Sequence, residues 1–185
     1  MNKKQLQIIL YGEKNLGKTT TLIKLVKLLV NNPTVSNQID SLLKTGNKYK
    51  DARFVIELNV GYIFVATGGD SWAISRGNCE FFNGSYSNMV GVYLITGSTM
   101  KLLNNDEKKD FKERKKPIVS VCACRPSGDK YGAIKAIHSN SEQDILNYSY
   151  QIWIQKQINS VNDSNATALQ IKNCIDKFLS SNCLF

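Results

Sequence analysis

An α/β fold is what this sequence predicts: a mainly parallel sheet with helices on both faces and one antiparallel hairpin strand. Three observations carry that prediction. Short apolar runs rich in β-branched and aromatic residues recur at Leu6–Tyr11, Arg53–Leu58, Tyr62–Thr67, Val90–Ile95, Ile118–Cys124 and Gln151–Ile154. Stretches with helical spacing of apolar residues lie between and after them, the first over Thr20–Val30 and the last over Ala166–Leu179. Asn59-Val60-Gly61 joins two of the runs as a short turn, which reads as a hairpin. With 185 residues, 42% of them apolar, the chain has enough length and apolar content for one domain over 1–185.

In chain order, Leu6–Tyr11 is a buried strand, followed by Gly12-Glu13-Lys14-Asn15-Leu16-Gly17-Lys18-Thr19. Leu22, Ile23, Leu25, Val26, Leu29 and Val30 then mark a helix, which Asn31-Asn32-Pro33 ends. Residues 34–51 are polar and turn-rich, with Ile39, Leu42 and Leu43 as one apolar patch; they read as a loop or short helix over the preceding loop, a lid or switch segment. The hairpin comes next, and its second strand ends at Gly68-Gly69-Asp70. A helix starts at Ser71, with Trp72, Ile74 and Phe81 facing inward, and 83–88 is a Gly/Ser/Asn loop. Val90–Ile95 leads into a Lys-rich helix over 98–116, which Pro117 stops. After the strand Ile118–Cys124, a helix over Tyr131–His138 is capped by Asp129, and the last strand and helix close the chain.

The octet at 12–19 has the form G-x-x-x-x-G-K-[ST], and it stands between a strand and a helix, the context that gives the motif its meaning. Glycine reaches backbone angles closed to other residues, so Gly12 and Gly17 let the loop wrap closely around a phosphate. The N–H groups then point inward, and the helix opening at Lys18 adds its positive end. Lys18 is expected to neutralise β- and γ-phosphate oxygens, and the Thr19 hydroxyl to hold Mg²⁺. The expected nucleotide-binding set is Gly12, Glu13, Lys14, Asn15, Leu16, Gly17, Lys18, Thr19 and Thr20. Lys14 either adds to phosphate binding or faces solvent.

Turnover needs a further metal or water contact, usually an acid at the end of a buried strand. Asp70 follows an apolar strand and two glycines, which suits that metal role; a cap on the helix at Trp72 is the other reading of it. Arg125 stands where the strand Ile118–Cys124 leaves the ligand-binding edge of the sheet. It either meets the base or γ-phosphate or is a surface residue before a turn. Lys18, Asp70 and Arg125 are the candidate catalytic residues, with Thr19 and Asp70 as candidate metal ligands. The one histidine, His138, has no G-x-S-x-G companion and reads as a packing or surface residue.

The formal net charge is +9, supplied by 20 Lys and four Arg. Lysine is a poor bidentate reader of phosphates, so this charge fits a solvated surface, with attraction to nucleic acid as an alternative. No apolar run approaches the roughly 20 residues that span a bilayer, and Met1-Asn2-Lys3-Lys4 precedes the first strand without a signal-like segment. The cysteines at 79, 122, 124, 174 and 183 are odd in number and scattered, as expected of reduced thiols in a cytoplasmic protein. Cys122 and Cys124 are two apart in a strand, so they share one face and read as core.

The Gly12–Thr19 loop with its flanking strand and helix resembles the P-loop NTPase superfamily, specifically over residues 5–30. The following hairpin is similar in layout to Ras-like GTPases. Thr67-Gly68-Gly69-Asp70 stands where that group has Asp-x-x-Gly, and Ser127-Gly128-Asp129-Lys130 does not match Asn-Lys-x-Asp. Guanine is thus unsupported, and the resemblance implies ATP with Mg²⁺. Three activities follow as expectations: an ATPase stimulated by a protein partner or second copy, a kinase for a small molecule or nucleotide, and a nucleotide-dependent switch. The kinase reading meets a departure, because its Arg-rich lid would fall on Lys101–Lys116, which holds only Arg114.

Overall fold

The computed structural model describes residues 5–59, 61–68, 91–108, 117–125 and 150–182. Its centre is a seven-stranded mixed sheet, mostly parallel. The strands are β1 (Leu6–Tyr11), β4 (Arg53–Leu58), β5 (Gly61–Ala66), β6 (Val92–Thr96), β7 (Thr99–Leu102), β8 (Val119–Cys124) and β9 (Tyr150–Gln155), in the order β7-β6-β4-β5-β8-β1-β9. β5, β8, β1 and β9 run parallel, and β4 is antiparallel to β5. Among the described residues, three helices accompany the sheet: α1 (Lys18–Val30), α2 (Pro33–Leu43) and α3 (Val161–Ser181). A separate two-stranded hairpin pairs β2 (Lys44–Thr45) with β3 (Lys48–Tyr49).

Strand alternation builds two cores. Ile8, Leu10, Phe54, Ile56, Ile63, Val65, Val119 and Val121 face one side, where α1, α2 and α3 add Leu22, Leu25, Val35, Ile39, Ile171 and Ile175. Ile9, Val55, Phe64, Cys122 and Cys124 face the other side and are equally buried. A strand buried on both faces reads as a nearly continuous apolar run, as β5 does and as β1 does apart from Gln7, whose amide pairs with Gln151. Cys122 and Cys124 are core residues, and burial pushes the Cys122 thiol up to about 12. Among the described residues, helices lie on one face only. Those expected from Ser71 and over Tyr131–His138 fall outside the described residues, as do the loop 83–88 and His138.

Helix boundaries follow local chemistry. Asn31 ends α1 in the left-handed region (φ 48°), its N–H donating to Lys27 O. Asn32 at once caps α2, accepting from Thr34 N and Val35 N, with Pro33 at the first helical position. Ser160 caps α3 by accepting from Asp163 N.

Two expectations are corrected, and a third is met in part. The antiparallel content exceeds one strand, because β6–β7 forms a second hairpin in the large sheet. The Lys-rich helix does not begin at Ser98: Thr99–Leu102 is β7, and a helical turn covers only 105–108 among the described residues, 109–116 lying outside them. Gly97, at φ 57°, supplies the two-residue turn, Met100 points into the core, and the helical turn starts where Asn104 and Glu107 cap each other reciprocally. Residues 34–51, expected as a loop or short helix, comprise most of α2 and the β2–β3 hairpin, with Gly46 at φ 58° in its turn.

Candidate functional site

β1 lies between β8 and β9 in the parallel part of the sheet, and its carboxyl end is at the edge where parallel sheets bind ligands. The loop over Gly12–Thr19 starts there. Gly12 N–H donates to Cys124 O at 3.2 Å. A Cβ on Gly12 would come within 2.5 Å of Lys156 O, so the strand end admits only glycine. Asn15 (φ 64°) and Gly17 (φ 79°) both turn through the left-handed region, and a Cβ on Gly17 would also lie 2.8 Å from Asn159 Oδ1.

Helix α1 opens directly from Gly17 with no side-chain cap and no acid in its first turn. A helix leaves its first N–H groups without intrahelical acceptors, and its dipole makes that end positive. α2 and α3 meet this need with Asn32 and Ser160, whereas the loop end of α1 has no such cap.

Lys18 is buried and folds back across the loop, its Nζ donating to Gly12 O at 2.7 Å and Glu13 O at 2.9 Å. Thr19 Oγ1 donates to Asp51 Oδ1 at 2.8 Å and lies 3.4 Å from Thr67 O. Thr67 holds the neighbouring backbone in place: its Oγ1 accepts from Ala52 N at 2.9 Å, and its N–H donates to Ala52 O at 3.0 Å. Asp51 is exposed and packs against Gly68, where an added Cβ would meet its carboxylate at 3.2 Å. Sequence reasoning missed Asp51. The signal lay in the hairpin, since pairing Arg53 with Ala66 sets residue 51 opposite residue 68 at the carboxyl edge.

The segment after β9 locks the loop from below. Lys156 is fully buried; its backbone N–H donates to Tyr11 O, and its Nζ donates to Ile158 O and to the Asp163 carboxylate in the first turn of α3. A buried ammonium held this way costs several kcal/mol to unpair, about 3–5, so Asn159 stays seated against Gly17. Cations crowd α1 as well. Burial, then the charges of Lys156 and Lys27, hold the Lys24 ammonium below its usual range.

A cavity of about 500 Å³ opens beside the loop. It is lined by Asn15, Gly17, Lys18, Thr19 and Thr20 of the loop and α1, by Thr67 and Asn159, and by Asn47, Lys48 and Tyr49 of the β2–β3 hairpin. The volume falls within the range of small-molecule and cofactor sites, roughly 300–1,000 Å³. Glu13 and Lys14 are exposed, and Leu16 packs over Gly12. Arg125 directly follows Cys124 beside the start of the loop and is not among the residues lining the cavity. Asp70 lies outside the described residues, and its strand β5 is separated from β1 by β8.

Among the described residues no cluster of three or more His, Cys, Asp or Glu could hold a metal, and no helix is long and apolar enough to cross a membrane. No protein-family model matches the chain, and no curated protein or solved structure is significantly similar to it.

Proposed function

We propose that this chain binds a nucleoside triphosphate with Mg²⁺ at the Gly12–Thr19 loop. ATP is the preferred nucleotide, since the guanine-reading pattern is missing from the sequence, and slow hydrolysis assisted by a protein partner is the accompanying activity. The observation that carries the reading is the loop end of α1: no side-chain cap, no acid, a left-handed Gly17, and the Lys18 ammonium folded over the loop. Phosphate oxygens are the ligand chemistry that suits those donors.

The oxygens of Thr19 and Asp51, 2.8 Å apart, suit a hard cation. Magnesium takes one or two protein carboxylates and completes its shell with phosphates and water, so a larger protein cluster is not required. When bound, the ion would neutralise charge on the phosphates. Lys18 binds and orients the same phosphates, and the Lys156–Asp163 pair keeps the floor of the loop rigid.

Equilibrium binding of a labelled ATP analogue tests the reading. Lys18→Ala should lower affinity at least a hundredfold, the scale of one or two charge-assisted hydrogen bonds. Equal binding by wild type and variant would overturn the nucleotide site; equal affinity for GTP would overturn only the base preference.

A further inference from the structure

We infer that Lys48 is a second phosphate-binding cation, presented from the β2–β3 hairpin, and that it makes the site prefer a triphosphate to a diphosphate. The inference rests on the nucleotide reading above and adds to it the residue that senses the terminal phosphate. Lys48 lines the same cavity as Lys18, and its ammonium makes no hydrogen bond or ion pair among the described residues. An anion in the cavity thus has Lys18, the end of α1 and Lys48 in its lining.

A lysine on a swinging loop would lose most of its Coulomb gain to side-chain and backbone entropy. This hairpin is tied down instead. Lys50 N–H donates to Leu43 O at 2.9 Å, closing the hairpin onto the end of α2. Tyr49 Oη donates to Asp40 Oδ1 at 2.6 Å, and Lys27 Nζ donates to the same oxygen at 2.6 Å. Lys27 also lies 5.6 Å from the centre of the Tyr49 ring. Asp40 belongs to α2, Tyr49 to β3 and Lys27 to α1, so one carboxylate joins three elements.

The anchor and the phosphate loop share a single helix. Lys27 is nine residues beyond Lys18 on α1, about 14 Å along a helix that rises 1.5 Å per residue. Because α1 is rigid over that length, fixing Tyr49 on Lys27 and Asp40 also fixes how far Lys48 stands from the loop. Tyr49 is therefore a positioning residue for Lys48.

The test compares ADP with a non-hydrolysable ATP analogue, each with Mg²⁺, on the full chain. Lys48→Ala should weaken the ATP analogue about tenfold or more, the scale of one charge-assisted hydrogen bond, and leave ADP within about twofold. Lys48→Arg should keep the preference. Tyr49→Phe should reduce the ratio of the two affinities, with the larger loss falling on the ATP analogue, and an unchanged ratio would remove Tyr49 from the positioning of Lys48. Lys50→Ala, which removes the same charge from a residue outside the cavity lining, should leave the ratio unchanged. An unchanged ratio in Lys48→Ala, or an equal loss for both nucleotides, overturns the role of Lys48 while the nucleotide site stands. Wild type binding neither nucleotide overturns both.

Discussion

Asp51 places a negative charge where an anion is proposed to bind, and that conflict makes its role measurable. Asn in its place can still accept the Thr19 hydroxyl, so Asp51→Asn removes charge while keeping the hydrogen bond. Without Mg²⁺ the variant should bind a triphosphate more tightly than wild type, by several-fold, because a like charge is gone. With Mg²⁺ the order should reverse, because an oxygen ligand of full charge is lost. Titrating the nucleotide with and without EDTA checks this, and the same Mg²⁺ gain in both proteins would remove Asp51 from the metal site. The loop residues were legible in sequence because glycines and a lysine at fixed spacing report local backbone geometry. Asp51 was not, because its position depends on which residue of the opposite strand it faces, 15 or more positions along the chain.

At the level of elements, the long strands and helices were legible and the shortest pieces were not. β2, β3 and β7 hold only two to four residues each, too few for an alternation pattern to register. Their signal lay in the turns, Gly46-Asn47 and Gly97-Ser98, two-residue dipeptides of the hairpin type. Lysines around Thr99–Leu102 favoured a helical reading, and the inward position of Met100 overrode it. The short hairpin also creates a pH-dependent contact. Burial alone would raise the Asp40 carboxyl, but the hydrogen bonds from Lys27 and Tyr49 prevail and hold it below its usual range. Burial, with Asp40 beside it, raises the Tyr49 hydroxyl to about 12. The carboxyl is depressed on folding, so its contribution is full above the unfolded value near pH 4 and is lost as pH falls through the folded value. The phenol is raised, so its contribution is full below about pH 10 and fades toward pH 12. Partial exposure of the Lys27–Asp40 pair keeps the acid effect below about 1 kcal/mol. Melting curves from pH 3 to 7 should therefore fall less steeply for Asp40→Asn than for wild type, and parallel curves would show that the contact contributes nothing.

For the whole molecule, the two-sided burial of the sheet gives a probe of global opening. Cys122 and Cys124 are fully shielded, and the Cys122 thiol is displaced upward to about 12, so almost no thiolate exists at neutral pH. Alkylation of both should require global unfolding, while the half-buried Cys174 reacts before either of them. Mass spectrometry across a urea series checks this; rapid labelling of Cys122 in native buffer would show that the sheet opens locally. The overall order β7-β6-β4-β5-β8-β1-β9 could not be read from the sequence, because which strands become neighbours depends on crossings between distant segments. The place of β1 in that order has a consequence in time. Gln7 and Gln151 share a hydrogen bond across 144 positions, and Gly12 and Gly17 are closed in by Lys156 and Asn159. During synthesis the first strand emerges long before the strands that flank it, and such high contact order makes the final pairing slow. The loop written into the first 20 residues is thus finished only when the segment after β9 leaves the ribosome. The proposed nucleotide would then meet a completed sheet rather than act as a template on which the first half of the chain folds.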